Sequence, residues 1–180
     1  MNLPNKLTVF RVFLIPFFVL FTLVDLVPDY SKYIAVAIFI IASLTDLLDG
    51  HIARKYNLVT NFGKFMDPLA DKLLVSAALI CLVSTEMLPT WIVIVIISRE
   101  FIISGFRLVA SDNGVVIAAS YWGKWKTTIQ MVMIVVLLLD LGGIFDPIGQ
   151  VLIWASLILT VVSLLDYLVK NKHVMTEGTM

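Results

Sequence analysis

Apolar residues dominate the chain in six long runs, with polar residues gathered in short clusters between them or at a few positions inside them. A bilayer-spanning helix needs about 20 mostly apolar residues. The runs predict six such helices, near residues 7–27, 33–56, 64–84, 90–110, 125–141 and 148–169. Between them lie Val27-Pro28-Asp29, residues 57–61, Glu86 to Pro89, Ser111-Asp112-Asn113-Gly114, and Gly142-Gly143 to Pro147. Each cluster holds Gly, Pro, Asn, Asp or Ser, which interrupt regular structure. Arg11 breaks the first run, so its opening residues are expected to lie along the interface as a separate amphipathic turn. The predicted fold class is all-α integral membrane: six transmembrane helices preceded by a short interfacial amphipathic helix, in one domain covering residues 1–180.

Composition agrees. Of 180 residues, 60% are hydrophobic and 14% charged, against about 25% charged in ordinary soluble domains. Mean hydropathy is +1.00. Formal net charge is zero, so no global field suggests nucleic acid. The single cysteine, Cys81, falls in the apolar run Leu73–Val83 and is expected to be a small buried apolar residue. No small-residue cleavage site follows the first run, so that run is expected to stay as a helix. Of the 13 Lys and Arg residues, all but Lys32 fall on one side or on helix ends facing it. The positive-inside rule then places both termini in the cytoplasm, in the cell membrane. Trp91, Trp122, Trp125 and Trp154 are expected in interface belts or helix packing.

Against this background four aspartates stand out, in Asp46-Leu-Leu-Asp49-Gly50-His51-Ile-Ala53-Arg54 and Gly63-Lys64-Phe-Met-Asp67-Pro68-Leu-Ala-Asp71-Lys72. A carboxylate at the bilayer centre costs roughly 2.5–3.5 kcal/mol on insertion scales. Asp46 and Asp49 project about 60° apart on one helix face, and Asp67 and Asp71 about 40° apart. The turn at residues 57–61 makes the two helices an antiparallel pair. Measured from it, Asp49 lies roughly 10 Å deep, Asp46 roughly 15 Å, Asp67 roughly 6 Å and Asp71 roughly 12 Å, so the pairs overlap at the cytoplasmic headgroup level. Two unit charges about 4 Å apart repel by about 4 kcal/mol at an effective dielectric near 20. Two divalent cations would cancel four such charges, and all-oxygen ligation suits Mg²⁺ or Mn²⁺. Two metals together make a clamp for displacement at phosphorus. Gly50 removes a side chain beside Asp49, Ala53 is small on a nearby face, and Arg54 offers phosphate a planar fork. Pro68 falls near the first turn after Gly63, where a missing N–H costs little. Two alternatives stand beside the metal site: a salt-bridge network of Asp46 or Asp49 with Arg54 and Lys72, and a cation channel or transporter.

The string Asp46-x2-Asp49-Gly50-x2-Ala53-Arg54-x8-Gly63-x3-Asp67-x3-Asp71 resembles the signature of the CDP-alcohol phosphatidyltransferases at every fixed position and gap. The resemblance implies six transmembrane helices after an interfacial helix, a homodimer, and a pair of divalent cations, Mg²⁺ or Mn²⁺. It implies that Asp46 and Asp67 are ligands shared by both metals, Asp49 a ligand of the first, and Asp71 a ligand of the second and the general base. Gly50, Arg54 and Thr60 match positions that hold the CDP-linked donor, and Ala53 and Gly63 are fixed positions counted with them. Asn5-Lys-Leu-Thr8-x-x-Arg11 is similar to the family's nucleotide-contacting segment; by residue type alone, Asn5 and Thr8 would read as an interfacial helix cap. His51 occupies a variable position and reads as a cytoplasmic-side surface residue. The implied reaction has Asp71 accept the proton of an alcohol, which attacks the lipid-side phosphorus and expels CMP.

The acceptor alcohol rests on the second half of the chain. Arg99, Arg107, Lys124 and Lys126 form a positive surplus on the cytoplasmic side, which a phosphorylated acceptor would require and a neutral or zwitterionic one would not. The same residues suit plain positive-inside anchoring. Glu100 and Arg107, seven apart, share a helix face, which makes an ion pair plausible beside a site role for Glu100. Ser98-Arg99-Glu100-Phe-Ile-Ile-Ser104-Gly-Phe-Arg107 and Gly123-Lys124-x-Lys126-Thr127-x2-Gln130 resemble the branch of the family that uses sn-glycerol 3-phosphate. The expected partners are CDP-diacylglycerol, sn-glycerol 3-phosphate, membrane lipid and a second copy of the chain. Other acceptors in the same family are inositol phosphate, serine and phosphatidylglycerol.

Overall fold

The computed structural model describes residues 2–55, 60–112 and 120–171; at 47, 49–55, 61, 62, 64, 65, 111 and 112 it describes the backbone alone. Among the described residues six helices follow one another: α1 (Leu3–Leu23), α2 (Ser31–Lys55), α3 (Asn61–Ser84), α4 (Thr90–Asp112), α5 (Tyr121–Leu139) and α6 (Phe145–Lys170). Among the described residues three of them, α1, α5 and α6, are long and apolar enough to cross a membrane. Large apolar side chains stand exposed along every helix, among them Leu108, Val151 and Phe13. A water-soluble monomer does not expose so much apolar surface. This is a membrane protein.

The largest departure from the expected pattern is at the start. The opening residues are continuous with α1, and no separate helix precedes it among the described residues. The Asn2 side chain caps the helix by accepting the Asn5 N–H at 3.2 Å, and Pro4 sits in the first turn where its missing N–H is harmless. Arg11 does not break the helix because its charge is fully partnered, as described below.

The chain divides into two compact units. The first holds α1, α2, α3 and the end of α5, and α1 packs on both α2 and α3. Its buried stripe is Pro4, Asn5, Thr8, Arg11, Ile15 and Phe18, at the three- and four-residue spacing of one helix face. Contacts along that stripe set the directions. Arg11 meets Asp46 and Phe18 meets Phe39, with ring centroids 5.7 Å apart, so α2 runs antiparallel to α1. Asn5 meets Thr60 and Thr8 meets Asp67, so α3 runs parallel to it. The second unit holds α4, the first part of α5, and α6. Trp91 meets Trp154, Arg99 meets Ser163 and Phe106 meets Tyr167, so α4 and α6 run parallel.

Candidate active site

In the first unit the site is organised by one face of α1. Thr8 and Arg11 lie three residues apart on it, and both are 0% exposed. The Thr8 hydroxyl donates to Oδ1 of Asp67 on α3 at 2.5 Å, and Arg11 Nη1 donates to Oδ1 of Asp46 on α2 at 2.7 Å. Arg11 Nε further donates to the Ala42 carbonyl at 3.1 Å and reaches the Thr45 hydroxyl at 3.5 Å. A guanidinium inside an apolar bundle is tolerable only with such partners. Two aspartates from different helices are thereby drawn to one face of a third. Asp71 follows Asp67 by one turn of α3 and is half-buried.

The first turn of α3 closes onto the same place. Thr60 caps α3 by accepting the Gly63 N–H at 3.0 Å, and its hydroxyl donates to Asn5 Oδ1, also at 3.0 Å. A Cβ on Gly63 would lie 3.2 Å from Asn5 Oδ1, 3.3 Å from Thr60 Oγ1 and 3.5 Å from Asp67 Oδ2. A side chain there would have to push Asn5 or Thr60 aside by a few tenths of an ångström. Asn5, Thr8, Arg11, Asp46, Thr60, Gly63 and Asp67 thus form one connected group. Asp49, Gly50, Ala53 and Arg54 continue α2, but their side chains lie outside the described residues, as does that of His51.

The donor set suits a hard cation, since Asp46 and Asp67 offer carboxylate oxygens and each α1 bond engages Oδ1 alone. Among the described residues, no three His, Cys, Asp or Glu side chains are grouped as a ready metal cage. Of the salt-bridge alternative, which paired Asp46 or Asp49 with Arg54 and Lys72, the side chains of Asp49 and Arg54 lie outside the described residues; Asp46 pairs with Arg11.

In the second unit the basic residues separate into two kinds. Arg99 and Lys126 are buried, and both bond Glu100 at its Oε1, Arg99 at 2.9 Å and Lys126 more closely. Arg99 Nε also donates to Ser163 on α6 at 3.1 Å. The expected pair of Glu100 with Arg107 is not what holds Glu100. Arg107 is exposed and lies over the Tyr167 ring, 5.8 Å from its centroid. Seven residues separate Glu100 and Arg107 by about 10 Å along the axis, whereas α5 carries Lys126 directly to Glu100. Lys124 is exposed. Ser163 was not anticipated, although Ser156, Thr160 and Ser163 recur at helical spacing within an apolar run, a signal that was present.

The CDP-alcohol phosphatidyltransferase family model matches residues 1–162, and the chain belongs to that family. It is 49% identical over 183 residues to the CDP-diacylglycerol–glycerol-3-phosphate 3-phosphatidyltransferase of Bacillus subtilis, covering 94% of this chain and 95% of the relative. It is 43% identical to the protein of that name from Haemophilus influenzae over 172 residues, 93% of this chain and 91% of the relative. The Rickettsia typhi protein of the same name is 36% identical over 170 residues, 92% of this chain and 94% of the relative.

Proposed function

We propose that the protein transfers the phosphatidyl group of CDP-diacylglycerol to sn-glycerol 3-phosphate, giving phosphatidylglycerophosphate and CMP. The observation that carries this reading is the gathering of Asp46 and Asp67, from two helices, on one buried face of α1. The names of relatives similar over nine-tenths of the chain select the acceptor over inositol phosphate, serine or phosphatidylglycerol. A family of transferases sets aside the channel or transporter.

Asp46, Asp49, Asp67 and Asp71 would hold a pair of divalent cations, Mg²⁺ or Mn²⁺. When bound, these neutralise the diphosphate and stabilise charge on the transferring phosphorus. The protein's own groups do the rest. Asp71 takes the proton of the acceptor hydroxyl as the new oxygen–phosphorus bond forms and the bond to CMP breaks. Asn5, Thr60 and Gly63, with Gly50, Ala53 and Arg54, form the donor side. Arg99 and Lys126, joined by the exposed Arg107 and Lys124, hold the acceptor phosphate. We take residues 1–180 as one functional domain with six spans. The first turns of α1 lie at the interface, both termini and the active site face the cytoplasm, and the working form is a homodimer in the cell membrane.

The test is direct. Purified protein in micelles receives CDP-diacylglycerol and Mg²⁺ or Mn²⁺, with each candidate acceptor offered separately, and CMP is measured. Glycerol 3-phosphate is expected to stimulate CMP release, and no stimulation would remove it as the acceptor. Asp71→Asn is expected to abolish release; substantial residual turnover would overturn the general-base role.

A further inference from the structure

The two fully buried polar side chains of α1, Thr8 and Arg11, sit in a segment that the family resemblance assigns to nucleotide contact, yet neither has any exposed surface. Their bonds lead elsewhere. Thr8 donates to Asp67 and Arg11 to Asp46, and Arg11 is itself anchored by the Ala42 carbonyl and Thr45. We propose that Thr8 and Arg11 are positioning residues: each fixes one carboxylate, so that α1 sets the spacing between ligands supplied by α2 and α3. The proposal rests on the reading of Asp46 and Asp67 as cation ligands.

The physical reason is rotational. A free aspartate turns about its side-chain bonds, and two neighbouring carboxylates swing apart by repulsion. A hydroxyl and a guanidinium, each held in a packed helix, fix one oxygen apiece before any cation arrives. Outer partners of ligating carboxylates are typically worth 10–100-fold in metal affinity or activity. Arg11 brings a complication, because a positive charge beside a ligand also repels the cation. Removing it would mix lost orientation with gained attraction. Arg11→Lys keeps the charge and replaces the planar fork by a point donor. Thr8→Val removes a donor with no change of charge. Together the two variants isolate orientation.

The experiment titrates Mn²⁺ into wild type, Thr8→Val, Thr8→Ser and Arg11→Lys in micelles without substrate, following free Mn²⁺ by electron paramagnetic resonance. Thermal unfolding is measured beside it, then KM for CDP-diacylglycerol at saturating Mn²⁺. Thr8→Val and Arg11→Lys are expected to bind Mn²⁺ about ten-fold or more weakly, with a wild-type KM for the donor. Thr8→Ser, which keeps the hydroxyl, is expected to restore affinity. Wild-type Mn²⁺ affinity in both variants with a several-fold higher donor KM would overturn the proposal in favour of nucleotide contact. A wild-type protein that binds no Mn²⁺ would overturn the cation-ligand reading itself, and the positioning role with it. Should Arg11→Lys fail to fold, the Thr8 pair decides the question alone.

Discussion

Glu100 shows how a residue can be conspicuous in sequence and still mislead about its partners. It interrupts an apolar run, and the helix places Arg107 on its face, but the carboxylate binds Arg99 and Lys126 instead. Two buried cations share this one acid, so neutralising it should matter far more than removing the exposed Arg107. Breaking a buried pair by deleting one partner typically costs about 3–5 kcal/mol. An exposed cation over a ring, as Arg107 lies over the buried Tyr167, contributes about 0.5–1 kcal/mol. Glu100→Gln is therefore expected to lower the unfolding temperature in micelles well below that of Arg107→Gln. Equal melting points would show that the Glu100 pairs carry no more stability than the contact of Arg107 with Tyr167. The identity of the charged residues was legible because lipid makes charge conspicuous. Their partners were not, because Arg11 meets Asp46 and Arg99 meets Ser163 across sequence separations of 35 and 64 residues.

At the scale of elements, six helices were legible to within a few residues, since span length and Gly- or Pro-containing breaks bound each one. Which faces pack was not legible. Lipid tails are as apolar as a packed interior, so a membrane helix needs no polar outer face, and periodicity does not mark the buried side. The stripe from Pro4 to Phe18 on α1 emerges only from its contacts. The start of α3 is the element whose local chemistry can be tested most simply. Thr60 both caps the helix and ties it to Asn5 on α1. Losing a Thr cap costs about 1 kcal/mol, so Thr60→Ala should destabilise by roughly that amount in unfolding measurements. Gly63→Ala is expected to do more to activity, because its Cβ would press on Asn5 Oδ1 and Thr60 Oγ1 at 3.2 and 3.3 Å. CMP release unchanged in Gly63→Ala would mean that these polar atoms shift freely and that the close approach has no role.

For the whole molecule the decisive asymmetry is charge. In the proposed six-span arrangement, all but one of the 13 Lys and Arg residues would belong to one side, and Lys32 alone to the other. That proposal would put the α3–α4 connection outside and the α4–α5 connection, with both termini, in the cytoplasm. The chain offers a clean background for testing it, because its one thiol, Cys81, is only 2% exposed within α3. Thr90 opens α4 beside the first connection, and Tyr121 opens α5 beside the second; both are exposed. A membrane-impermeant maleimide applied to intact cells is expected to label Thr90→Cys and to leave both Tyr121→Cys and wild type unlabelled. After lysis, Tyr121→Cys should label as well. The reverse pattern would invert the orientation. Labelling of both variants in intact cells would remove α4 as a span, and with it the equal placement of the two termini that an even number of crossings requires.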